Sequence, residues 1–170
     1  MNRLVGVGEV QEDIEHYLGR WGRIFKAFRR QDSGCVSYGV WLDGRRWFVK
    51  HSGEARGIAG LDRARQLHGA VKHPALARLH NSLKTADGLA LVYEWLPGEV
   101  LYDYTAPGIG RDDPAGAHAR FRALPIERIL AALDTIYDAH LTMAEAGFVA
   151  VDFYDGCIIY DFDRVLSLIH

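Results

Sequence analysis

"GCVSYGVWLDGRRWFVK", residues 34–50, sets aromatic and β-branched residues on both sides of Asp43-Gly44. An Asp-Gly pair accepts the left-handed backbone of a two-residue turn, so the stretch predicts strand, tight turn, strand. The second strand closes on "RRWFVK", which places Lys50 behind an apolar run. A glycine-containing hairpin can cover phosphates with its backbone, and a lysine on the next strand can reach them as a point charge. A strand-end lysine in solvent reads the same way. Gly34 and Gly39 flank the turn-prone start, "QDSGCVSYG", and are a thin glycine signal by themselves.

Toward the N-terminus, residues 10–30 carry Ile14, Tyr17, Leu18, Trp21, Phe25 and Phe28. Steps of three and four predict one helical stripe, weakened by Gly19 and Gly22. Toward the C-terminus, residues 61–72 return to helical spacing through Leu61, Ala64, Leu67, His68 and Val71. His73-Pro74 ends that helix. Two further strands are expected around Asp87-Gly88, and the second runs into "LALVYEWLPGE", residues 89–99. There an extended strand meeting Pro97-Gly98 could offer backbone groups to an adenine edge, or be an ordinary strand and turn. "TAPGIGRDDPAGAHAR", residues 105–120, reads as a loop.

Pro125 opens a helix over residues 126–146, and Gly147 caps it. Ile129, Leu130, Leu133, Ile136, Tyr137, Leu141 and Ala144 are its expected buried face. Strands are expected over 148–151, 157–161 and 164–169. Asp152 falls between apolar runs, where a carboxylate is costly unless it is paired, hydrogen-bonded or ionised for a purpose. It could accept a hydroxyl proton or simply bond local backbone as a turn aspartate. Asp155 is most simply the start of an Asp-Gly turn, with a metal role as the alternative.

At 170 residues and 49% hydrophobic content, the chain suits one compact domain or two small lobes. A net charge of -2 argues against a nucleic-acid surface. Cys35 and Cys157 are the only cysteines, which implies a reducing compartment rather than a disulfide scaffold. No apolar run reaches bilayer length, and "MNRLVGVGEVQED" lacks a signal-peptide core. A cytoplasmic location without membrane contact is therefore expected. The eight histidines form no HxxH or HxxxH pair, so zinc is not expected.

The order of these pieces resembles the protein-kinase-like fold from about residue 31 to 170. "QDSGCVSYGVWLDGRRWFVK" is similar to a Gly-rich loop and its strand lysine, and "HPALARLH" to the segment after the regulatory helix. "LALVYEWLPGEVLYDY" is similar to the hinge, and "AHLTMAEAGFVAVDFYDGCIIYD" to the long helix and catalytic loop. The likeness is nearest to bacterial serine/threonine-kinase-like phosphotransferases, whose loop carries a similar Val-Asp-Phe-Tyr-Asp-Gly run.

The resemblance implies an α+β architecture. Residues 1–30 would be a helical segment, 31–98 a sheet-rich N-lobe, and 99–170 the start of a helical C-lobe ending before the metal-binding segment. It implies ATP and Mg²⁺, and transfer of the γ-phosphate to a hydroxyl acceptor, protein or small molecule. Lys50 would hold the phosphates and Asp152 would position the acceptor. Gly34, Cys35, Val36 and Gly39 would cover the phosphates, and Glu94 and Trp95 would lie at the adenine.

The departures are specific. Ala150 and Val151 replace the loop's histidine and arginine. Cys157 stands where an asparagine helps hold magnesium, and a thiol is a soft ligand for that ion. The helix glutamate that pairs with the lysine would fall near Ala64, with Asp62 and Glu54 the nearest acids. A non-catalytic nucleotide- or partner-binding module is the alternative, with self-association through an exposed C-lobe face.

Overall fold

A computed structural model describes residues 3–29, 33–103, 110–163 and 166–169. Gln31 and Asp32 of the turn-prone run, residues 104–109 of the expected loop, and Arg164 and Val165 of the last expected strand lie outside these. The order is α1 (Ile14–Trp21), β1 (Arg23–Phe28), β2 (Val36–Leu42), β3 (Arg45–Ser52), α2 (Ala55–Ala70), β4 (Leu79–Thr85) and β5 (Gly88–Glu94). Then come β6 (Glu99–Val100), α3 (Ala117–Arg122), α4 (Ile126–Glu145), a 3-10 turn over Asp155–Cys157, β7 (Ile158–Asp161) and β8 (Leu166–Ile169). The chain is α+β and forms two compact units. Met1–Gly69 with Arg78–Trp95 makes the first, and Ala70–Ala77 with Leu96–His170 the second.

The first unit is a five-stranded antiparallel sheet in the order β1-β2-β3-β5-β4. Its centre is the expected hairpin. Leu42 pairs with Arg45 around Asp43 (φ 52) and Gly44 (φ 73), the left-handed pair that the turn requires. The second hairpin turns one residue earlier than Asp87-Gly88. Thr85 pairs with Gly88, so Ala86 and Asp87 make the turn. Asp87 instead accepts the Ile14 N–H at 3.2 Å.

The helix expected over residues 10–30 is cut short. Asp13 caps its start by accepting the His16 N–H at 2.8 Å. Gly22 ends it in extended backbone, and residues 23–28 become β1. The aromatic spacing was real, but Phe25 and Phe28 belong to a strand. Phe25 is the extra residue of a bulge between Ile24 and Lys26. The expected separate helical segment therefore supplies one helix and an edge strand to the sheet.

One sheet face buries Tyr38, Val40, Leu42, Trp47, Val49, Leu83, Ala90 and Val92 beneath α1 and the N-terminal segment. Asn81 binds that segment by donating to the carbonyls of Leu4 at 2.8 Å and Val7 at 2.7 Å. The segment also covers the edge of β4: Lys84 N–H bonds Gly8 O at 3.0 Å, and Val10 N–H bonds Lys84 O at 2.9 Å. An uncovered edge strand would template pairing with other chains.

Two histidines of this unit set an expected pH response. Burial pushes the His51 imidazole below its ordinary value, with Asp87 opposing. Burial also lowers His80, and Arg78 adds to it. An unfolded chain binds these protons near pH 6.5, where the folded chain resists them, so stability is full above that pH and falls as pH drops through the folded values. The expected result is a melting temperature that declines as the pH falls below about 6.5, with a shallower decline in His51→Gln. A flat profile over that range would contradict the burial of both rings.

In the second unit, β6-β7-β8 form a three-stranded sheet. Tyr160 of β7 is fully buried with Leu101 and Ala132. Helix α4 packs through Ala132, Ile136, Ala139 and Met143. Of the expected buried face only Ile136 is inside. Leu130, Leu133, Tyr137 and Leu141 are exposed. The helix is apolar on two sides, and the side with two alanines makes the close approach. The expected loop yields α3 from Ala117 onward. Residues 148–151 form no strand, and Val149 and Val151 are exposed at 80% and 94%. Among the described residues, no helix is long and apolar enough to cross a membrane.

Candidate functional site

Lys50 lies in mid-β3, opposite Ser37 of β2 and Leu91 of β5. Residues paired across antiparallel strands share a face, so Ser37, Gly39, Phe48, Lys50, Leu91 and Tyr93 point to one side. That side is opposite the α1 core. Five rings collect there. Phe25 meets Trp95 edge-on at 4.8 Å, and Phe48 lies 6.4 Å from Phe28, 6.2 Å from Tyr93 and 6.3 Å from Trp95. Burial holds the Tyr93 phenol well above its ordinary value. Lys50 itself is half-buried, and among the described residues it makes no ion pair.

The two acids considered as lysine partners go elsewhere. Asp62 accepts from Arg65 at 3.0 and 2.7 Å and from Gln66 at 2.8 Å on the exposed side of α2. The Glu54 carboxylate lies over Gly34, where an added Cβ would come within 2.8 Å of its oxygen.

Gly34 sits in the β1–β2 connection with φ 69, and its carbonyl accepts the Ser52 hydroxyl at 2.7 Å. Cys35 is buried beside it, and Val36 opens β2 opposite His51. Gly39 is inside β2, not in the connection. A Cβ there would come within 2.7 Å of the Phe25 and Trp95 rings, so this glycine admits the rings.

Glu94 and Trp95 separate at the end of β5. Trp95 joins the ring cluster, and its N–H donates to Arg46 O at 3.2 Å. Glu94 pairs with Trp47 of the opposite face. It helps line a concavity of about 380 Å³ with Trp41, Arg45, Arg46, His80 and Trp95 itself. The structure therefore brings the Trp95 ring to Gly39 on the face of Lys50 and sets Glu94 in register with the other face, while both residues line the concavity.

In the second unit, Asp152 is exposed in a turn, not held among strands. No desolvation cost attaches to it, and the backbone around it is fixed by its neighbours. Phe153 turns inward onto the cluster of Ala75, Ile136 and Ala139. Its ring meets His140 edge-on at 4.5 Å. The Cys157 thiol donates to Asp152 O at 3.6 Å, and the Cys157 N–H to Tyr154 O at 2.8 Å. The Tyr154 ring covers Gly156. These contacts leave the Asp152 carboxylate facing solvent on an anchored loop.

Asp155 has a different occupation. Arg111 grips its carboxylate with two bonds, 2.6 and 2.9 Å, and His118 stands 3.7 Å away. The guanidinium holds the Asp155 carboxyl below the usual carboxylate range. Arg111 also lies 3.9 Å over the Tyr102 ring. Sequence reading missed this pair because the partners are 44 residues apart and no local pattern links them.

Neither Asp155 nor Cys157, the positions considered for magnesium, suits that ion. Asp155 is satisfied by a cation, Cys157 presents sulfur, and among the described residues no three His, Cys, Asp or Glu side chains gather as a metal group. No protein-family model matches the chain, and no curated protein matches it.

Proposed function

We propose that the chain is a protein-kinase-like, ATP-dependent phosphotransferase unit, with Lys50 as phosphate ligand and Asp152 as proton acceptor. The observation that carries this reading is the first unit's topology. The order β1-β2-β3-β5-β4, with α2 between β3 and β4, sets Lys50, which makes no ion pair among the described residues, in mid-β3 beside an aromatic surface. An ammonium without an anionic partner is free to take phosphate charge, and the rings offer a stacking surface for a purine.

Transfer would follow the usual balance. The acceptor oxygen bonds to the γ-phosphorus, the bond from that phosphorus to the bridging oxygen breaks, and ADP departs. The hydroxyl proton passes to the Asp152 carboxylate, which is exposed on a loop whose backbone is anchored by Phe153 and Cys157. No step is assigned to protein-held magnesium, since Asp155 is held by Arg111 and Cys157 presents sulfur.

The test is the melting temperature with and without Mg·ATP, in the parent chain and in Lys50→Ala. A ligand bound only by the folded state adds about 2.7 kcal/mol at a hundredfold excess over Kd. The expected result is an upward shift that disappears in Lys50→Ala and persists in Asp152→Asn, with phosphate transfer lost in both. A shift that survives Lys50→Ala would end the assignment of that residue, and no shift at all would end the nucleotide reading.

The ion pair between Arg111 and Asp155, together with sulfur at residue 157, favours a second reading. It is a non-catalytic nucleotide- or partner-binding module. A Lys50-dependent shift without transfer to protein or small hydroxyl acceptors would select it.

A further inference from the structure

Helix α4 carries an apolar stripe apart from the one it packs with. Ile126, Leu130, Leu133, Tyr137 and Leu141 are 59, 51, 39, 69 and 58% exposed. Steps of four and three put them on one face, over about 22 Å of helix. Their combined apolar surface is on the order of 500 Å², the size of the largest patch on an ordinary monomer and often a functional one.

One flank of the stripe is acidic. Glu127, Asp134, Asp138 and Glu145 are all exposed on this side. Asp138 bonds His73 at 3.0 Å, which leaves the other three without a cationic partner among the described residues. Arg128, the one arginine of α4, is half-buried and donates to Phe162 O at 3.0 Å. The stripe therefore runs between one acidic margin, with no exposed lysine or arginine in it, and the packed side of Ile136 and Met143.

We propose that this face docks a basic amphipathic helix of a partner protein. The partner would set leucine-like residues at three- and four-residue spacing into the stripe, with lysine or arginine along the margin that faces the acids. A second copy of this chain is the poorer occupant, because an antiparallel two-fold pairing would lay the acidic margin against itself. The exposed area is below the roughly 800 Å² per side of a standard interface, so micromolar rather than nanomolar binding is expected. The inference uses no part of the Lys50 or Asp152 reading.

The probe is a synthetic helix-forming peptide with leucine at that spacing and lysine on the flanking positions. Its fluorescence anisotropy would be followed with the intact chain, beside the same peptide carrying glutamate for lysine. The lysine peptide is expected to bind, and the glutamate peptide to bind at least about tenfold more weakly. Leu130→Gln with Tyr137→Gln should abolish binding while leaving the melting temperature unchanged, since both side chains are exposed. Glu127→Lys with Asp134→Lys should weaken it and reduce its salt dependence.

Equal binding of the two peptides would overturn the charge argument. No binding of the lysine peptide at roughly 100 µM would overturn the proposal. A dimer in sedimentation equilibrium that is lost in Leu130→Gln with Tyr137→Gln would also overturn it, in favour of a second copy.

Discussion

Gly57→Ala is expected to destabilise the sheet-rich unit by about 3 kcal/mol, the upper range for forcing extra volume into a packed site. Gly57 is buried in the first turn of α2. A Cβ there would reach within 2.6 Å of the Ser52 Cβ and closer still to its hydroxyl oxygen. Ser52 has no slack to give. Its hydroxyl donates to Gly34 O at 2.7 Å and accepts the Glu54 N–H at 3.1 Å. Moving it leaves the Gly34 carbonyl without its donor and lifts the helix from the end of β3. For a unit of this size the melting temperature should fall by more than about 10 °C. Ser52→Gly in the same chain should recover part of the loss, because it removes the atoms that collide. A melting temperature within about 1 °C of the parent would mean that α2 does not rest on Ser52.

Asn81→Ala is expected to cost about 2–3 kcal/mol, one net hydrogen bond for each of two carbonyls left without a donor. The amide group donates to Leu4 O and Val7 O. Those bonds hold the segment that places fully buried Leu4 against the sheet. The loss should therefore spread. Hydrogen exchange at the Val10, Lys84 and Ala86 amides, which bond across this segment, should accelerate together. Asn81→Asp keeps the shape but replaces the donor by a carboxylate facing two carbonyls, so it should be at least as damaging. Unchanged exchange in Asn81→Ala would show that the segment is held by its apolar side chains alone.

The central hairpin was legible because Asp43-Gly44 has few other uses between two β-branched runs. β1 was not, because Trp21, Phe25 and Phe28 prolong the helical spacing beyond Gly22, and only the bulge at Phe25 explains that spacing in a strand. Periodicity found α4 but chose the wrong side. Large residues outweigh Ala132 and Ala139 in any pattern count, whereas small residues permit close packing. Lys50 could be singled out from its place behind an apolar run. The role of Gly39 could not, since it depends on rings from residues 25 and 95. The Asp152 puzzle assumed burial. Val149 and Val151 face solvent, and the anchoring belongs to Phe153, one residue later.

The division of the chain has a consequence for anyone who cuts it. Residues 70–77 belong with the second unit, although residues 78–95 return to the first. Ala75 is fully buried against Ile136 and Ala139, and His73 bonds Asp138. A fragment beginning at Leu96 would thus lack a piece of its own core, and one ending at Trp95 would carry that piece with nothing to cover it. During synthesis, residues 70–77 must wait for α4 to leave the ribosome before their burial is complete. Neither half can be excised at a single bond and be expected to fold cooperatively alone.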